Sequence, residues 1–282
     1  MKIKFTKMHG CGNDYIYIDC INGVAPSDPG ALSEMMSPRH SSVGADGLVL
    51  ICPSDKADAG MRMFNPDGSE GLMCGNAIRC VGKYLYDNGV VGKTEITVET
   101  RSGIKTLSPV VDNIGAVREV TVDMGRASFA AEDLPVVCGF DEFIDGTVTV
   151  AGREWRLTCV SMGNPHAVTF ADDAETLRLD MIGPLFEHHG MFPDRVNTEF
   201  VRVIDRHTLT MRVWERGCGE TLACGTGACA SAAAAVRLGY CDFDTPVTVK
   251  LRGGELTVTV RRDYTVLMTG EAVKVYDGVY EY

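Results

Sequence analysis

The sequence predicts an α+β protein with two pseudo-symmetric domains from an internal duplication, each a mostly antiparallel β-structure around a central helix. The first observation behind this prediction is a repeat: residues 61–75 recur as residues 211–225 without a gap. An internal repeat is typical of two similar half-structures. The second observation is that an alternating, strand-like pattern follows a helical pattern in both copies.

The central helix of each half is predicted to begin directly after a cysteine, Cys74 in the first copy and Cys224 in the second. Apolar residues then recur at helical spacing, and a glycine at matching offset, Gly89 or Gly239, stops each helix. The second helix consists largely of small residues with few charges, so we expect it to be buried against close neighbours.

Strands are predicted at the N-terminus and on both sides of the two helices. The alternating or apolar runs that indicate them cover residues 95–101, 117–122, 147–150, 246–252 and 256–260. A further strand is predicted in the tail, over residues 270–276, and the pattern alone does not assign it to either half.

Composition and charge exclude several classes of partner. The chain has 282 residues, of which 45% are hydrophobic and 23% charged, as is normal for a globular protein that can bury a core. Its net charge of −11 argues against nucleic acid or an anionic membrane surface as a partner. It leaves an anionic small molecule open. With no long apolar stretch and no signal-like N-terminus, we expect a cytoplasmic protein.

Most of the 11 cysteines are predicted to be small buried hydrophobic residues in a reducing compartment. Cys74 and Cys224 differ because they occupy matching helix starts. A helix N-terminus lowers a thiol pKa, which predicts thiolate near neutral pH, and its N–H groups can bind a carboxylate. If the halves face one another across a cleft, the two thiols could remove a proton from one face of a carbon and return one to the other.

Two other functional classes stay open at this point. The cluster of Cys218, Cys224 and Cys229 could bind zinc, although it lacks the paired spacing of structural zinc sites and a nearby histidine. A thiol–disulfide switch is the other alternative. The residues by themselves indicate a carboxylate next to an acidic C–H and do not identify the substrate.

Polar residues cluster around the two cysteine motifs and are candidates for binding a polar substrate. Arg216 suits a carboxylate through bidentate pairing. His166 could tune a neighbouring thiol. The other members of this set are Asn13, Asn65, Asp67, Asn164, Asn197 and Glu215.

The chain resembles the diaminopimelate epimerase family over nearly its whole length. The motifs that carry the resemblance are residues 7–14, 64–69, 74–80, 161–166, 195–197, 215–217, 223–227 and 269–272. The resemblance implies a two-base epimerase that needs no cofactor or metal and interconverts LL- and meso-diaminopimelate in lysine and peptidoglycan precursor synthesis. It also implies that the tail joins the first domain, which gives a domain of residues 1–124 plus 270–282 and a second of residues 125–269.

The family's site residues carry over to positions in this chain. Cys74 and Cys224 are then the catalytic base and acid, and His166 and Glu215 modulate the thiols. The implied substrate-binding residues are Asn13, Asn65, Gly75, Asn76, Asn164, Asn197, Glu215, Arg216, Gly225 and Thr226.

Two positions depart from the pattern of some family members. Gly47 stands where some members use a glutamine in binding, and Leu267 stands where some carry an aromatic residue that supports dimerisation. A homodimer is therefore a weaker expectation for this chain. The nearest alternative enzyme is a proline or hydroxyproline racemase, against which Arg216 and the asparagines argue because they suit a longer amino-acid substrate.

Overall fold

The computed structural model describes residues 2–281, which form two compact units. The first unit comprises the described residues up to Val122 and those from Thr269 onward, and the second is Asp123–Met268. The chain passes between the units inside two strands, Val117–Arg126 and Thr265–Glu271. Helices and a larger share of strands alternate in both units, which confirms the predicted α+β class.

The first unit contains ten of the strands, counting the two that it shares, and two of the helices. In chain order they are β1 (Lys2–Gly10), β2 (Asn13–Asp19), α1 (Pro29–Met36), β3 (Leu48–Cys52), β4 (Ala59–Phe64), β5 (Glu70–Gly71), α2 (Gly75–Asp87), β6 (Ile96–Thr100), β7 (Gly103–Val111), β8 (Val117–Arg126), the end of β17 (Thr265–Glu271) and β18 (Val273–Glu281). The tail strand β18 pairs antiparallel with β1.

The second unit begins within β8, passes through a short 3₁₀ turn at Ala131–Asp133 and then repeats the same kinds of element. They are β9 (Gly146–Val150), β10 (Arg153–Ser161), β11 (Pro165–Phe170), α3 (Leu179–Glu187), β12 (Asn197–Asp205), β13 (Thr208–Glu215), β14 (Gly219–Glu220), α4 (Gly225–Arg237), β15 (Pro246–Leu251), β16 (Gly254–Val260) and the start of β17.

One pairing pattern occurs in both units. In the first, β2 is parallel to β3, β3 is antiparallel to β4, and β4 is parallel to β6. In the second, β11, β12, β13 and β15 pair in the same order and with the same directions. Most of the remaining pairs are antiparallel, as predicted. The sequence repeat therefore corresponds to a repeated β-structure.

The two central helices match in length, position and ends. Both α2 and α4 have 13 residues, and Cys74 and Cys224 are their N-cap residues. The predicted stops are confirmed, because Gly89 (φ +66°) and Gly239 (φ +78°) adopt the left-handed conformation that glycine tolerates and that ends a helix.

Both central helices are buried, but with different side chains. The alanines of α4 are fully enclosed, as the small-residue composition predicts. In α2, Gly82 gives room for Leu107 and Val120, since a Cβ at this glycine would lie 3.1 and 3.3 Å from their side chains. Neither these helices nor any other within residues 2–281 is long and apolar enough to cross a membrane.

Candidate active site

The first thiol lies at the start of α2, where Cys74 has an extended backbone (φ −129°, ψ 124°). Asn13 Oδ1 lies 3.4 Å from Cys74 Sγ and accepts a hydrogen bond from it. The same oxygen accepts a bond from Asn76 Nδ2, also at 3.4 Å. Asp46 holds the Asn13 amide from the other side, at 2.7 Å. The structure thus brings together Cys74, Asn13 and Asn76 as predicted neighbours.

Burial raises the pKa of the Cys74 thiol. The nearby backbone amides of Ala77 and Asn76, the Tyr15 hydroxyl and the positive charge of Arg79 all act in the opposite direction but do not outweigh it. The prediction that the helix terminus makes this cysteine a thiolate near neutral pH is therefore wrong. The free-energy cost of removing the thiolate from water is larger here than the stabilisation that the helix N-terminus gives it.

A buried guanidinium lies one turn inside α2. Arg79 is fully buried and bonds to the carbonyl oxygens of Gly75 (3.1 Å) and Glu271 (3.2 Å). Its Nη2 also donates to Asn76 Oδ1 at 3.0 Å. Arg79 therefore fixes both residues that follow Cys74, the carbonyl of one and the amide of the other.

Asn65 is a further predicted residue of the first unit and directly follows β4. Its Nδ2 donates to Ser69 Oγ at 2.9 Å, and its backbone N–H donates to the Ser69 carbonyl. Asn65 is thus engaged within its own loop, and its role in binding a substrate stays a prediction.

The second thiol lies at the start of α4. Cys224 Sγ accepts a hydrogen bond from the Gly227 backbone N–H at 3.3 Å and lies 3.5 Å from Thr226 Oγ1. The side chain of Cys224 thus contacts the amides of the first helical turn, the part of a helix that binds anions.

A chain of hydrogen bonds leads from this helix terminus into the interior of the second unit. Asn164 Nδ2 donates to Thr226 Oγ1 at 3.3 Å, and Asn164 Oδ1 lies 3.1 Å from His166 Nε2. His166 Nδ1 in turn lies 2.7 Å from Glu199 Oε1, and both side chains are fully buried. The structure therefore connects the predicted residues Asn164, His166 and Thr226 to a carboxylate that was not predicted.

Burial raises the pKa of the Cys224 thiol well above its ordinary value, and the negative charges of Glu215 and Glu199 raise it further. Hydrogen bonds from Thr226 and Gly227 act in the opposite direction. The prediction of a thiolate near neutral pH is thus wrong for this cysteine too. Burial also raises the pKa of the Glu215 carboxyl, which accepts a hydrogen bond from the Thr221 hydroxyl.

Asn197, which is buried, and Arg216, which is exposed, are joined by a hydrogen bond in the second unit. Asn197 Nδ2 donates to the Pro165 carbonyl at 2.7 Å, and its Oδ1 accepts from the Arg216 backbone N–H at 2.9 Å. The Arg216 side chain is exposed and makes one bond, to the Asp194 carbonyl at 3.3 Å. Its guanidinium is thus available for a carboxylate.

Sequence reasoning missed three residues that the structure places at the thiols: Tyr15, Arg79 and Glu199. The repeat could have indicated Tyr15, because it aligns with His166 in the block where Asn13 aligns with Asn164. For Glu199, the available signal was a charged residue directly before the apolar pair Phe200 and Val201 in β12.

The groups at the two helix termini can bind a carboxylate and can transfer protons. Each offers backbone N–H donors beside a thiol, and the second adds a histidine and two carboxylates. Within residues 2–281 no three His, Cys, Asp or Glu side chains are grouped so that they could hold a metal ion.

Comparison with known proteins identifies relatives over almost the whole chain. Residues 5–130 and 158–275 match the family model for diaminopimelate epimerase. The diaminopimelate epimerase of Methanococcus maripaludis is 52% identical over 277 residues, which cover 98% of this chain and 99% of that protein. That of Bacillus cytotoxicus is 46% identical over 283 residues, with 100% and 98% covered.

Solved structures with the same fold are more distant in sequence. A hydroxyproline epimerase from Agrobacterium vitis has a TM-score of 0.71 at 16% identity and covers 99% of this chain and 92% of its own. A phenazine biosynthesis protein of the PhzF family from Bacillus anthracis has a TM-score of 0.71 at 18% identity, with both chains fully covered. At these identities the likeness establishes the fold alone.

Proposed function

The chain belongs to the diaminopimelate epimerase family, a family of isomerases, and from this premise we propose that it interconverts LL- and meso-diaminopimelate by moving the α-proton between two thiols. One observation carries the proposal beyond the family name. The two cysteines are the N-cap residues of duplicated helices, so each thiol lies beside backbone N–H groups that can bind the carboxylate next to the reacting carbon.

In the proposed reaction, one cysteine acts as thiolate and the other as thiol. The thiolate takes the α-proton and becomes a thiol, while the electron pair of the C–H bond stays on a planar carbanion. The opposite thiol gives its proton to the other face of that carbon and becomes a thiolate. Cys74 and Cys224 exchange these roles when the reaction runs in reverse.

The α-carboxylate is proposed to bind at the helix N-termini, through Gly75 and Asn76 of α2 and Gly225 and Thr226 of α4. Backbone donors there would stabilise the negative charge that spreads onto the carboxylate as the proton leaves. Both glycines lie at the first helical position, where the absence of a side chain permits close approach.

Burial disfavours the thiolate at both cysteines, so the bound substrate must help to form it. We propose that the substrate's α-ammonium supplies this help, because a positive charge beside a thiol favours ionisation. His166 and Glu215 are the proposed modulators of the thiols. Glu215 contributes negative charge beside Cys224, which opposes ionisation of that thiol.

The remaining residues are proposed to bind the second amino-acid head of the substrate and its ammonium groups. Arg216 supports this assignment because its guanidinium is exposed and planar, which suits a carboxylate. The others in the proposed set are Asn13, Asn65, Asn164, Asn197 and Glu215.

The setting of the enzyme is part of the same proposal. We propose that it works in the cytoplasm, in lysine and peptidoglycan precursor synthesis, without a cofactor or metal, and as a homodimer. The family resemblance supports these assignments. Sedimentation velocity would test the dimer, since a single monomer-sized species at working concentration would overturn it.

The reaction and the substrate are tested together by following α-proton exchange in D₂O by NMR, with reduced protein and no added cofactor. LL-diaminopimelate is compared with proline and hydroxyproline. Deuterium entry into diaminopimelate alone, with formation of the meso isomer, is the expected result. Exchange into proline or hydroxyproline instead would overturn the substrate and favour a racemase, and no exchange at all would overturn the reaction.

A further inference from the structure

Glu199 has no place in the reaction just described, although its carboxylate is enclosed in the second unit close to Cys224. We infer that Glu199 is a positioning residue: through His166, Asn164 and Thr226 it orients the hydrogen-bonding groups around Cys224. This inference rests on the proposed function, because the orientation of these groups matters for catalysis only if Cys224 exchanges protons with a substrate.

Because Glu199 is buried away from water, its carboxylate depends on the hydrogen bond to His166. Both oxygens of the carboxylate are buried, Oε1 bonds to His166 Nδ1 at 2.7 Å, and Oε2 has no hydrogen-bond donor within residues 2–281. A buried carboxylate is costly unless a partner compensates it. An ionised carboxylate only accepts hydrogen bonds, so its bond to His166 uses a proton on Nδ1.

The bond between Glu199 and His166 holds the ring in place for the next contacts. His166 Nε2 lies 3.1 Å from Asn164 Oδ1. The Asn164 amide N–H₂ is thereby turned toward Thr226 Oγ1, which lies 3.5 Å from Cys224 Sγ. One carboxylate thus begins a continuous path of hydrogen-bonding groups that ends at the thiol.

Gly227 shows how close the carboxylate comes to the thiol. A Cβ at this position would lie 2.7 Å from Glu199 Oε1 and 3.3 Å from Cys224 Sγ, so only glycine leaves room for both. The ionisable groups that face Cys224 are Glu199 of β12, its partner His166 of β11, and Glu215 at the end of β13. Both carboxylates oppose ionisation of the thiol.

This arrangement is absent from the repeat partner in the first unit. At the matching offsets, Tyr15 stands in place of His166 and Val49 in place of Glu199. A carboxylate at this strand position is therefore not shared by the two repeats. Glu199 belongs to the repeat that carries Cys224.

The test uses Glu199→Gln, which keeps the shape and removes the charge, and Glu199→Asp as the conservative variant. Glu220→Gln is the matched control, because it makes the same change in the same unit at a carboxylate paired with Arg212 and Arg252. Two readouts need no substrate: the pH profile of Cys224 alkylation, resolved by peptide mass spectrometry, and the ¹⁵N NMR signals of His166.

In Glu199→Gln we expect Cys224 to be alkylated roughly tenfold faster at fixed pH, because a nearby negative charge is lost. The His166 ¹⁵N signals should shift, because an amide oxygen is a weaker acceptor than a carboxylate oxygen, and kcat should fall by about 10²-fold with KM changed less, as for a weakened acid or base. Glu199→Asp should restore part of each property, and Glu220→Gln should leave all three unchanged.

An unchanged alkylation profile together with an unchanged His166 spectrum in Glu199→Gln would overturn the inference. If that variant does not fold, Gly227→Ala tests the same point, since the added methyl must displace the carboxylate and should alter both readouts. Failure of the proposed function is distinguishable, because it would abolish turnover of diaminopimelate in the parent protein while leaving both substrate-free readouts intact.

Discussion

The two helix termini share a backbone but differ in the charges around the thiol. At α2, Cys74 lies near the buried cation Arg79 and the Tyr15 hydroxyl, which both favour its ionisation. At α4, Cys224 lies near Glu215 and Glu199, which both oppose ionisation. Both units keep a cysteine as the N-cap of the central helix, whereas the side chains around the two thiols differ in charge.

This difference has a consequence for a two-base reaction. If both thiols were equally acidic, neither would be preferred as donor or acceptor before a substrate binds. Because a cation lies near Cys74 and carboxylates lie near Cys224, the proton is expected to reside on Cys224 more firmly than on Cys74.

Loss of either thiol is expected to have the largest effect. Cys74→Ala and Cys224→Ala should each reduce epimerisation of LL-diaminopimelate by at least about 10³-fold, within the range that a positioned acid or base contributes. Formation of the meso isomer, followed by NMR, measures the loss. Substantial turnover in either variant would rule out the two-thiol reaction, and Cys138→Ala, which changes a cysteine outside both termini, is the matched control.

Removal of the cation at the first terminus should have the next largest effect. Arg79→Met removes the guanidinium donors of Asn76 Oδ1 and of the Gly75 and Glu271 carbonyls, and hydrogen bonds to a charged group contribute about 1.5–3 kcal/mol. We expect the free energy of unfolding to fall by about 3 kcal/mol in urea titration. Cys74 should also be alkylated more slowly at fixed pH, because the positive charge is gone.

Cys224 is the internal control for that experiment. Its alkylation in the Arg79→Met protein should stay at the wild-type rate. An equal loss of reactivity at both cysteines would contradict a local effect of Arg79 and would indicate a general change of structure.

The sequence predicted the parts of these sites that the chain encodes locally. Helices α2 and α4 follow from the repeat and from the stops at Gly89 and Gly239. Helices α1 and α3 were not predicted, because the first is short and the second has Pro184 in its interior, so neither gives an extended helical pattern.

The charged residues around the thiols could not be predicted from local sequence patterns, for a different reason. Glu199 reaches His166 because β12 pairs in parallel with β11 across a long connection, with Asn197 opposite His166. Such a register is not encoded in either strand alone. The direction of the thiol pKa shifts was also misjudged, because spacing indicates a helix terminus but not how completely the fold encloses it.

A smaller effect is expected where an ion-pair cluster supports the first terminus. Burial raises the pKa of Asp14, but hydrogen bonds and charges from Arg39 and Lys7 lower it more, to about 2. The backbone N–H of Asp14 donates to Asp46, the carboxylate that also holds Asn13. The second unit has Pro165 at the matching offset, so this support is particular to the first.

Because the pKa of Asp14 is lower in the folded chain than the ordinary value of 3.8, its stabilisation is complete above that value. It is then lost as the pH falls from 3.8 toward about 2. Asp14→Asn should lower the free energy of unfolding by about 2 kcal/mol at pH 7 and by less as the pH approaches 2. Urea titrations across this range measure the difference, and a constant deficit at all pH values would contradict it.

The smallest predicted effect is the difference in reactivity between the two thiols of the unmodified enzyme. Cys74 should be alkylated by iodoacetamide at least about tenfold faster than Cys224 near pH 8, with the rates resolved by peptide mass spectrometry. Greater exposure of Cys74 also favours this order, so the full pH profiles are needed to separate access from ionisation. Access alone gives two profiles with one midpoint, whereas the opposite charges predict a midpoint at lower pH for Cys74. A common midpoint would mean that divergence altered the surroundings of the thiols without making them unequal as acids.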